Sequence, residues 1–177
     1  MKKVTIHGEN FRQYISAKDI DNRLDGIAHG INSDFQNKSP LFLIILNGAF
    51  LFGTEIVKRF KGECEIEFVR IKSYQGMASS GSVSAEKLEI ENISGRHVLI
   101  LEDIIDSGKT LHTFLPMVNE FQPASISIAT LLFKPEALKF NIPISYCGFK
   151  ITNEFVVGYG MDFDGLGRNL QEIYIKD

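Results

Sequence analysis

Cysteine is scarce in this chain. Cys64 and Cys147 are its only two, and they form no Cys-x-x-Cys spacing, so no disulfide framework is indicated. Reduced, buried thiols of a cytoplasmic protein are the expectation. No apolar run approaches the ~20 residues of a membrane span. The N-terminal Met-Lys-Lys-Val-Thr-Ile-His turns polar before a secretory apolar region could form. Positive charge is also short. Lys+Arg number 19 against 22 Asp+Glu, a net charge of −3, which argues against a nucleic-acid-binding surface. Internal repeats and low-complexity linkers are missing as well. Membrane and nucleic-acid partners are therefore not expected.

What is present fits one globular domain spanning residues 1–177. The 177 residues are 44% hydrophobic and 23% charged, ordinary values for a soluble globular protein. Ser16 and Asp19 resemble a capping box, and Ile20, Leu24, Ile27, Ala28 and Ile31 follow at helical spacing. Leu41 to Leu46 is an unbroken apolar run, as in a strand covered on both faces. It stops at Asn47-Gly48, and an amphipathic helix from about Phe50 to Phe60 is expected. Glu65 to Ile71 alternates, as a strand exposed on one face would. Residues 73–87, rich in Ser and Gly, read as a long mobile loop. Val98 to Leu101 and Ser125 to Phe133 read as buried strands, with a helix to about Glu120 between them. Short strands near Ser145 to Gly148 and Phe155 to Val157 lead into a Gly-rich tail. Alternating strands and helices indicate a doubly wound α/β sheet.

The stretch 98–111 is the most informative. Glu102 and Asp103 stand at the end of an apolar strand, and Asp106, Ser107, Gly108, Lys109 and Thr110 lead into a helical segment. Ligands of open α/β sheets bind just beyond the carboxyl ends of strands. The loop offers backbone N–H groups, hydroxyls and a helix N-terminus to an anion. The carboxylates suit a divalent metal or sugar hydroxyls, so a sugar phosphate fits the combination. Gly108-Lys109-Thr110 invites a Walker A reading, but the position that would need the first glycine is Asp103, and that reading fails. A plain strand-turn-helix with solvated acids is the structural alternative.

The motif resembles the phosphoribosyl-pyrophosphate motif of the type I phosphoribosyltransferases. Four further segments resemble one branch, the hypoxanthine (hypoxanthine-guanine) phosphoribosyltransferases. They are Leu46-Asn47-Gly48-Ala49-Phe50, Ser73-Tyr74-x-Gly76 with Ser79-Ser80-Gly81, Leu131 to Pro135, and Phe155 to Asp162 with Arg168-Asn169-Leu170. The resemblance covers Leu41 to the C-terminus and is looser over the first forty residues. It departs at Asn47, where many relatives carry Lys, at Ser107, where Thr is frequent, and at Phe163 and Gly167, where Tyr and a bulkier residue are common.

The resemblance implies a twisted, mainly parallel sheet flanked by helices. A small hood would come from the N-terminal segment and about 145–177, and a mobile active-site loop from 73–87. It implies Mg²⁺, with Glu102 and Asp103 serving the ribose hydroxyls and the metal, and Asp162 the base or the metal. Amides at Asn47 and Gly48, where the preceding peptide can be cis, would meet pyrophosphate together with Arg168. Residues 106–110 would wrap the 5′-phosphate, and Asp106 would handle the proton at purine N7. Asp106 could alternatively be the N-cap of the next helix. Lys134 would reach purine O6, although a lysine there could simply snorkel to water. Phe155 would stack on the base with Val156 lining its pocket, although a Phe beside Val-Val also suits plain core. Ser73 and Tyr74 would sit at the tip of the closing loop.

Two functions follow. The first is Mg²⁺-dependent transfer of phosphoribose from phosphoribosyl pyrophosphate to hypoxanthine and guanine, giving IMP or GMP and pyrophosphate, in a cytoplasmic homodimer or homotetramer. The second is a non-catalytic purine- or phosphoribosyl-pyrophosphate-sensing regulator on the same fold. Such regulators need a DNA-binding module or a basic RNA face, which this composition does not offer.

Overall fold

Long apolar runs become the inner strands of a parallel sheet, because only a strand covered on both faces can dispense with polar residues. The computed structural model describes residues 2–71 and 93–177. The expected loop 73–87, with Ser73 and Tyr74, lies outside the described residues. The elements in chain order are β1 (Lys3–Ile6), β2 (Glu9–Ile15), α1 (Ala17–Asp34), β3 (Leu41–Leu46), α2 (Phe50–Arg59) and β4 (Glu65–Arg70). They continue with β5 (His97–Ile105), α3 (Lys109–Glu120), β6 (Ser125–Phe133), β7 (Tyr146–Lys150), β8 (Val156–Val157) and β9 (Ile173–Lys176).

Five strands pair in the order β4-β3-β5-β6-β7, all parallel. Alternate residues of the inner strands feed two cores. Phe42, Ile44, Leu99, Leu101 and Leu131 pack with Ile20, Leu24 and Ile31 of α1 and Phe52 and Ile56 of α2. Leu41, Leu43, Ile45, Val98, Ile100 and Ile128 pack with Leu111, Phe114 and Val118 of α3. Burial of each such side chain is worth about 1.5–3 kcal/mol, and these two layers fix the sheet that carries the site. Ser16 caps α1 as expected, its Oγ accepting from the Asp19 amide at 3.1 Å.

A second, antiparallel sheet, β1-β2-β9-β8, joins the two ends of the chain. Ile6, Phe11, Val157 and Tyr174 form its own small core. This is the hood.

The structure departs from the sequence reading in three places. Among the described residues β4 is the outermost strand of its sheet, with Phe68 57% exposed and, within the strand, only Val69 buried, against the second core. β5 runs on to Ile105, so the acid pair lies within the strand rather than at its C-terminal end. The strand expected near 145–148 is β7, and it pairs in parallel with β6, Thr130 opposite Cys147. It satisfies backbone groups along β6 that would otherwise lack partners, so the C-terminal part of the hood begins after Lys150 rather than near 145. The hood strands β1, β2 and β9 left no comparable signal, because they are short and their burial depends on one another.

Candidate active site

The turn from β5 into α3 builds the first wall. Gly108 is the N-cap of α3, in the left-handed region at φ 78°, and no side chain caps the helix. A Cβ at Gly108 would stand 3.0 Å from both Ile142 and Leu138. Glycine is therefore favoured by the backbone conformation, and a side chain would also crowd Ile142 and Leu138. The first-turn N–H groups of a helix have no intrahelical partners; Ser107 Oγ accepts from the Lys109 amide at 3.4 Å, and the Thr110 and Leu111 amides that follow are open to an anion. Glu102, Ile104 and residues 105–111 line a recess of about 80 Å³ at this turn. Asp106 is thus not the helix cap. Its Oδ2 instead accepts from Lys134 Nζ at 3.2 Å. The lysine side chain is only 9% exposed and the aspartate 55%. Its ammonium does not snorkel to water but is held at the mouth of the recess, and the Lys134 amide donates to the Ile105 carbonyl at 2.9 Å.

The acid pair forms the floor. Glu102 is buried, and its Oε2 has no hydrogen-bond partner. Burial, reinforced by the neighbouring Asp103 charge, pushes the Glu102 carboxyl well above its usual range. Burial also pushes Asp103 up, to about 6, against backbone hydrogen bonds and the Arg168 charge that pull it down. Gly48 packs directly on Asp103: a Cβ on Gly48 would come 1.8 Å from Asp103 Oδ2. The Leu46–Asn47 peptide just before it is cis. On the other side of Gly48 lies Gly160, at φ +101°, whose Cβ would come 2.0 Å from the Gly48 carbonyl oxygen. The hood hairpin therefore rests on the turn after β3, and that turn rests on the acid pair.

Arg168 ties this stack together. It donates to the Gly160 carbonyl at 2.7 Å and pairs with Asp162 Oδ1 at 2.7 Å, while Asp162 Oδ2 accepts from the Gly165 amide at 2.8 Å. Both oxygens of Asp162 are thus engaged within the hairpin. Among the described residues, no three His, Cys, Asp or Glu side chains gather as a metal cluster. Above the stack, Phe155 at the start of β8 leaves its ring 46% exposed, and Val156 beside it is buried against the main core. The exposed ring is unlike plain core.

The phosphoribosyl transferase domain family matches residues 14–164. The chain belongs to the phosphoribosyltransferases. It is 40% identical over 160 residues to the hypoxanthine-guanine phosphoribosyltransferase of Streptococcus pneumoniae, covering 90% of this chain and 89% of that protein. It is 44% identical over 152 residues to the hypoxanthine phosphoribosyltransferase of Buchnera aphidicola, covering 84% and 86% respectively. Among solved structures, it superimposes on a Staphylococcus aureus hypoxanthine phosphoribosyltransferase with a TM-score of 0.88 at 34% identity, covering 94% of this chain and 91% of that one.

In this phosphoribosyltransferase two features at the site were not read from sequence. Arg70, at the end of β4, donates to Asn47 Oδ1 at 3.3 Å and places a guanidinium beside the turn whose own side chain is uncharged. Gly160 carries the contact with Gly48 described above. A Gly in a Gly-rich tail and an Arg on an edge strand give no local cue to either contact. Gly167 is explained by the same fold: at φ +94°, its Cβ would meet Val157 Cγ2 at 2.6 Å, leaving no room for a bulkier residue.

Proposed function

We propose that this phosphoribosyltransferase transfers phosphoribose from phosphoribosyl pyrophosphate to hypoxanthine and guanine, yielding IMP or GMP and pyrophosphate in purine salvage. The observation that carries this reading is the Lys134–Asp106 pair, 3.2 Å apart at the mouth of the recess. A 6-oxopurine presents O6, an acceptor, beside N7. A buried ammonium donates to O6 while a neighbouring carboxylate accepts or shares the proton at N7. Adenine carries a 6-amino group, which would face the ammonium donor to donor.

The remaining residues divide the rest of the substrate. Amides of residues 106–110 and the uncapped start of α3 receive the 5′-phosphate, with the Ser107 and Thr110 hydroxyls beside them. Amides at Asn47 and Gly48, with Arg168, face the pyrophosphate. Phe155 stacks on the base, and Val156 closes the pocket behind it. As C1 of the ribose becomes cationic, fixed dipoles and charges around it lower the barrier because they need no reorganisation.

The acid pair fits a divalent cation, since Glu102 Oε2 is buried with no partner and Asp103 lies beside it. Mg²⁺ is commonly held by one or two carboxylates plus substrate oxygens, so a three-ligand protein cage is not required. Glu102 and Asp103 would hold it, and it would supply charge neutralisation for the leaving pyrophosphate. Asp162, already paired with Arg168, serves that arginine first. Among the described residues no helix is long and apolar enough to cross a membrane, and we assign the enzyme to the cytoplasm, as a homodimer or homotetramer.

Steady-state turnover with hypoxanthine, guanine, xanthine and adenine, at fixed phosphoribosyl pyrophosphate and Mg²⁺, tests the proposal. Hypoxanthine and guanine are expected to turn over. Adenine should be rejected by about 10⁴-fold, the scale reached when a site's buried donor is left unpaired. Adenine turnover comparable to hypoxanthine would overturn the base-pocket assignment.

A further inference from the structure

The hood contains an aromatic cluster that the reaction chemistry does not by itself explain. Phe163 lies at its centre. Its ring meets Phe155 edge-on, with centroids 5.6 Å apart at 70°, Phe11 at 5.8 Å and His7 at 5.7 Å and 79°. Lys176 Nζ lies 5.8 Å from the same centroid. Among the described residues Phe155 makes one other aromatic contact, a looser one with Phe11 at 6.4 Å and 51°.

Phe163 is itself firmly placed. It exchanges backbone hydrogen bonds with Leu166, at 2.9 and 3.1 Å, across a two-residue hairpin loop. Asp164 and Gly165 at its tip have φ 47° and 85°, the all-positive pattern of a type I′ turn that Asp-Gly favours. Asp162 Oδ2 accepts the Gly165 amide, and Arg168 holds Asp162. The ring therefore stands on a pinned hairpin, whereas Phe155 is half exposed and follows a bend into a two-residue strand.

We propose that Phe163 is a positioning residue for base recognition, fixing the plane of the Phe155 ring without touching the purine. This rests on the assignment of Phe155 as the stacking residue. Edge-to-face contact restricts the tilt of the partner ring, and stacking requires that ring to be parallel to the base. Phe163 thereby holds Phe155 in the orientation the base needs before the base arrives, which lowers the ordering cost of binding.

The test measures KM for hypoxanthine and for phosphoribosyl pyrophosphate separately, together with Tm. The variants are Phe163→Leu, Phe163→Met, Phe163→Tyr, Phe155→Ala and the double variant Phe155→Ala/Phe163→Leu. Phe163→Leu is expected to raise KM for hypoxanthine by about three- to tenfold, the scale of an aromatic pair, with KM for phosphoribosyl pyrophosphate within about twofold of wild type. Phe163→Tyr should keep the wild-type value, and Phe163→Met, unbranched, polarisable and without a ring, should behave as Leu does. In the Phe155→Ala background, Phe163→Leu should add almost nothing, because no stacking ring is left to orient. A Phe163→Leu effect that persists undiminished there, or that raises both KM values equally with a fall in Tm, overturns the positioning role. So does a raised KM for Phe155→Ala with no change for either Phe163→Leu or Phe163→Met. An unchanged hypoxanthine KM for Phe155→Ala removes the stacking assignment itself, and the proposal with it.

Discussion

The turn from β5 into α3 and the hood build the two halves of the proposed site by opposite means. At the turn, Glu102 to Thr110 are contiguous, and two cores below β5 and α3 hold them in place. In the hood, the working residues come from β2, β8 and the hairpin 158–168, held by an ion pair, ring contacts and glycine close approaches. The first half is rigid because its strand is buried. The second is specific because many weak contacts must all be made at once. Chemistry at the first should be lost by single charge changes, whereas the second should respond through affinity and fit.

The sharpest break of this comparison is Asp106→Asn. Because Asp106 does not cap α3 and Asn keeps an oxygen that can accept from Lys134 Nζ, the change should lower Tm only slightly, through the lost charge beside Lys134, while kcat with hypoxanthine falls by roughly 10²-fold or more. Steady-state kinetics beside a thermal melt checks both halves of that statement. A large fall in Tm would make the residue structural instead.

Lys134→Met follows, with kcat/KM for 6-oxopurines expected to fall by about 10- to 100-fold and phosphoribosyl pyrophosphate affinity nearly intact. Lys134 leaves β6 but pairs across to Asp106, so this variant tests whether the base edge is read from the rigid half. A rise in the KM for phosphoribosyl pyrophosphate as large as that for the purine would move Lys134 to the phosphate side.

Gly160→Ala probes the joint between the halves. A Cβ there would meet the Gly48 carbonyl at 2.0 Å, at a backbone angle that side chains rarely adopt. We expect a cost of about 2–4 kcal/mol in denaturant melts and a raised KM for phosphoribosyl pyrophosphate through the displaced Asn47–Gly48 turn. Wild-type behaviour on both counts would show that the hood does not bear on that turn.

The smallest effect is in pH. Asp103 titrates near 3.8 when exposed and at about 6 in the folded protein, because burial disfavours its charge. The folded state then binds the proton more tightly than the unfolded state. Its contribution to stability is full below pH 4 and is lost as pH rises to about 6, with Glu102 shifted in the same sense. Ligand-free protein should therefore lose stability across that window, by a fraction of the ~1.4 kcal/mol per pH unit that one proton allows. Asp103→Asn should flatten this trend in melts taken between pH 4 and 6. An increase in stability over that window attributable to Asp103 would contradict the burial argument.

Much of the rigid half was legible in the sequence. Apolar runs at 41–46, 98–101 and 125–133 became inner strands, and the acid pair, loop and helix start belong to one contiguous segment. The alternation at β4 misled, because alternation cannot say whether any neighbour exists to cover a face. Of the hood, the short strand β8 was read from pattern and the rest only through motif resemblance, and its strands β1, β2 and β9 were not read at all.

The amino-acid sequence alone determined which segments could be buried strands, where the glycine turn from strand to helix lies, and which side chains carry charge beside it. Periodicity and turn chemistry act over a few residues, so they survive without the fold. Only the tertiary structure decided that Lys134 reaches Asp106, that Gly48 lies between Asp103 and Gly160, and that Phe163 stands against Phe155. Each of these is a contact between residues distant in sequence or across a turn, fixed by packing of whole elements rather than by any local preference.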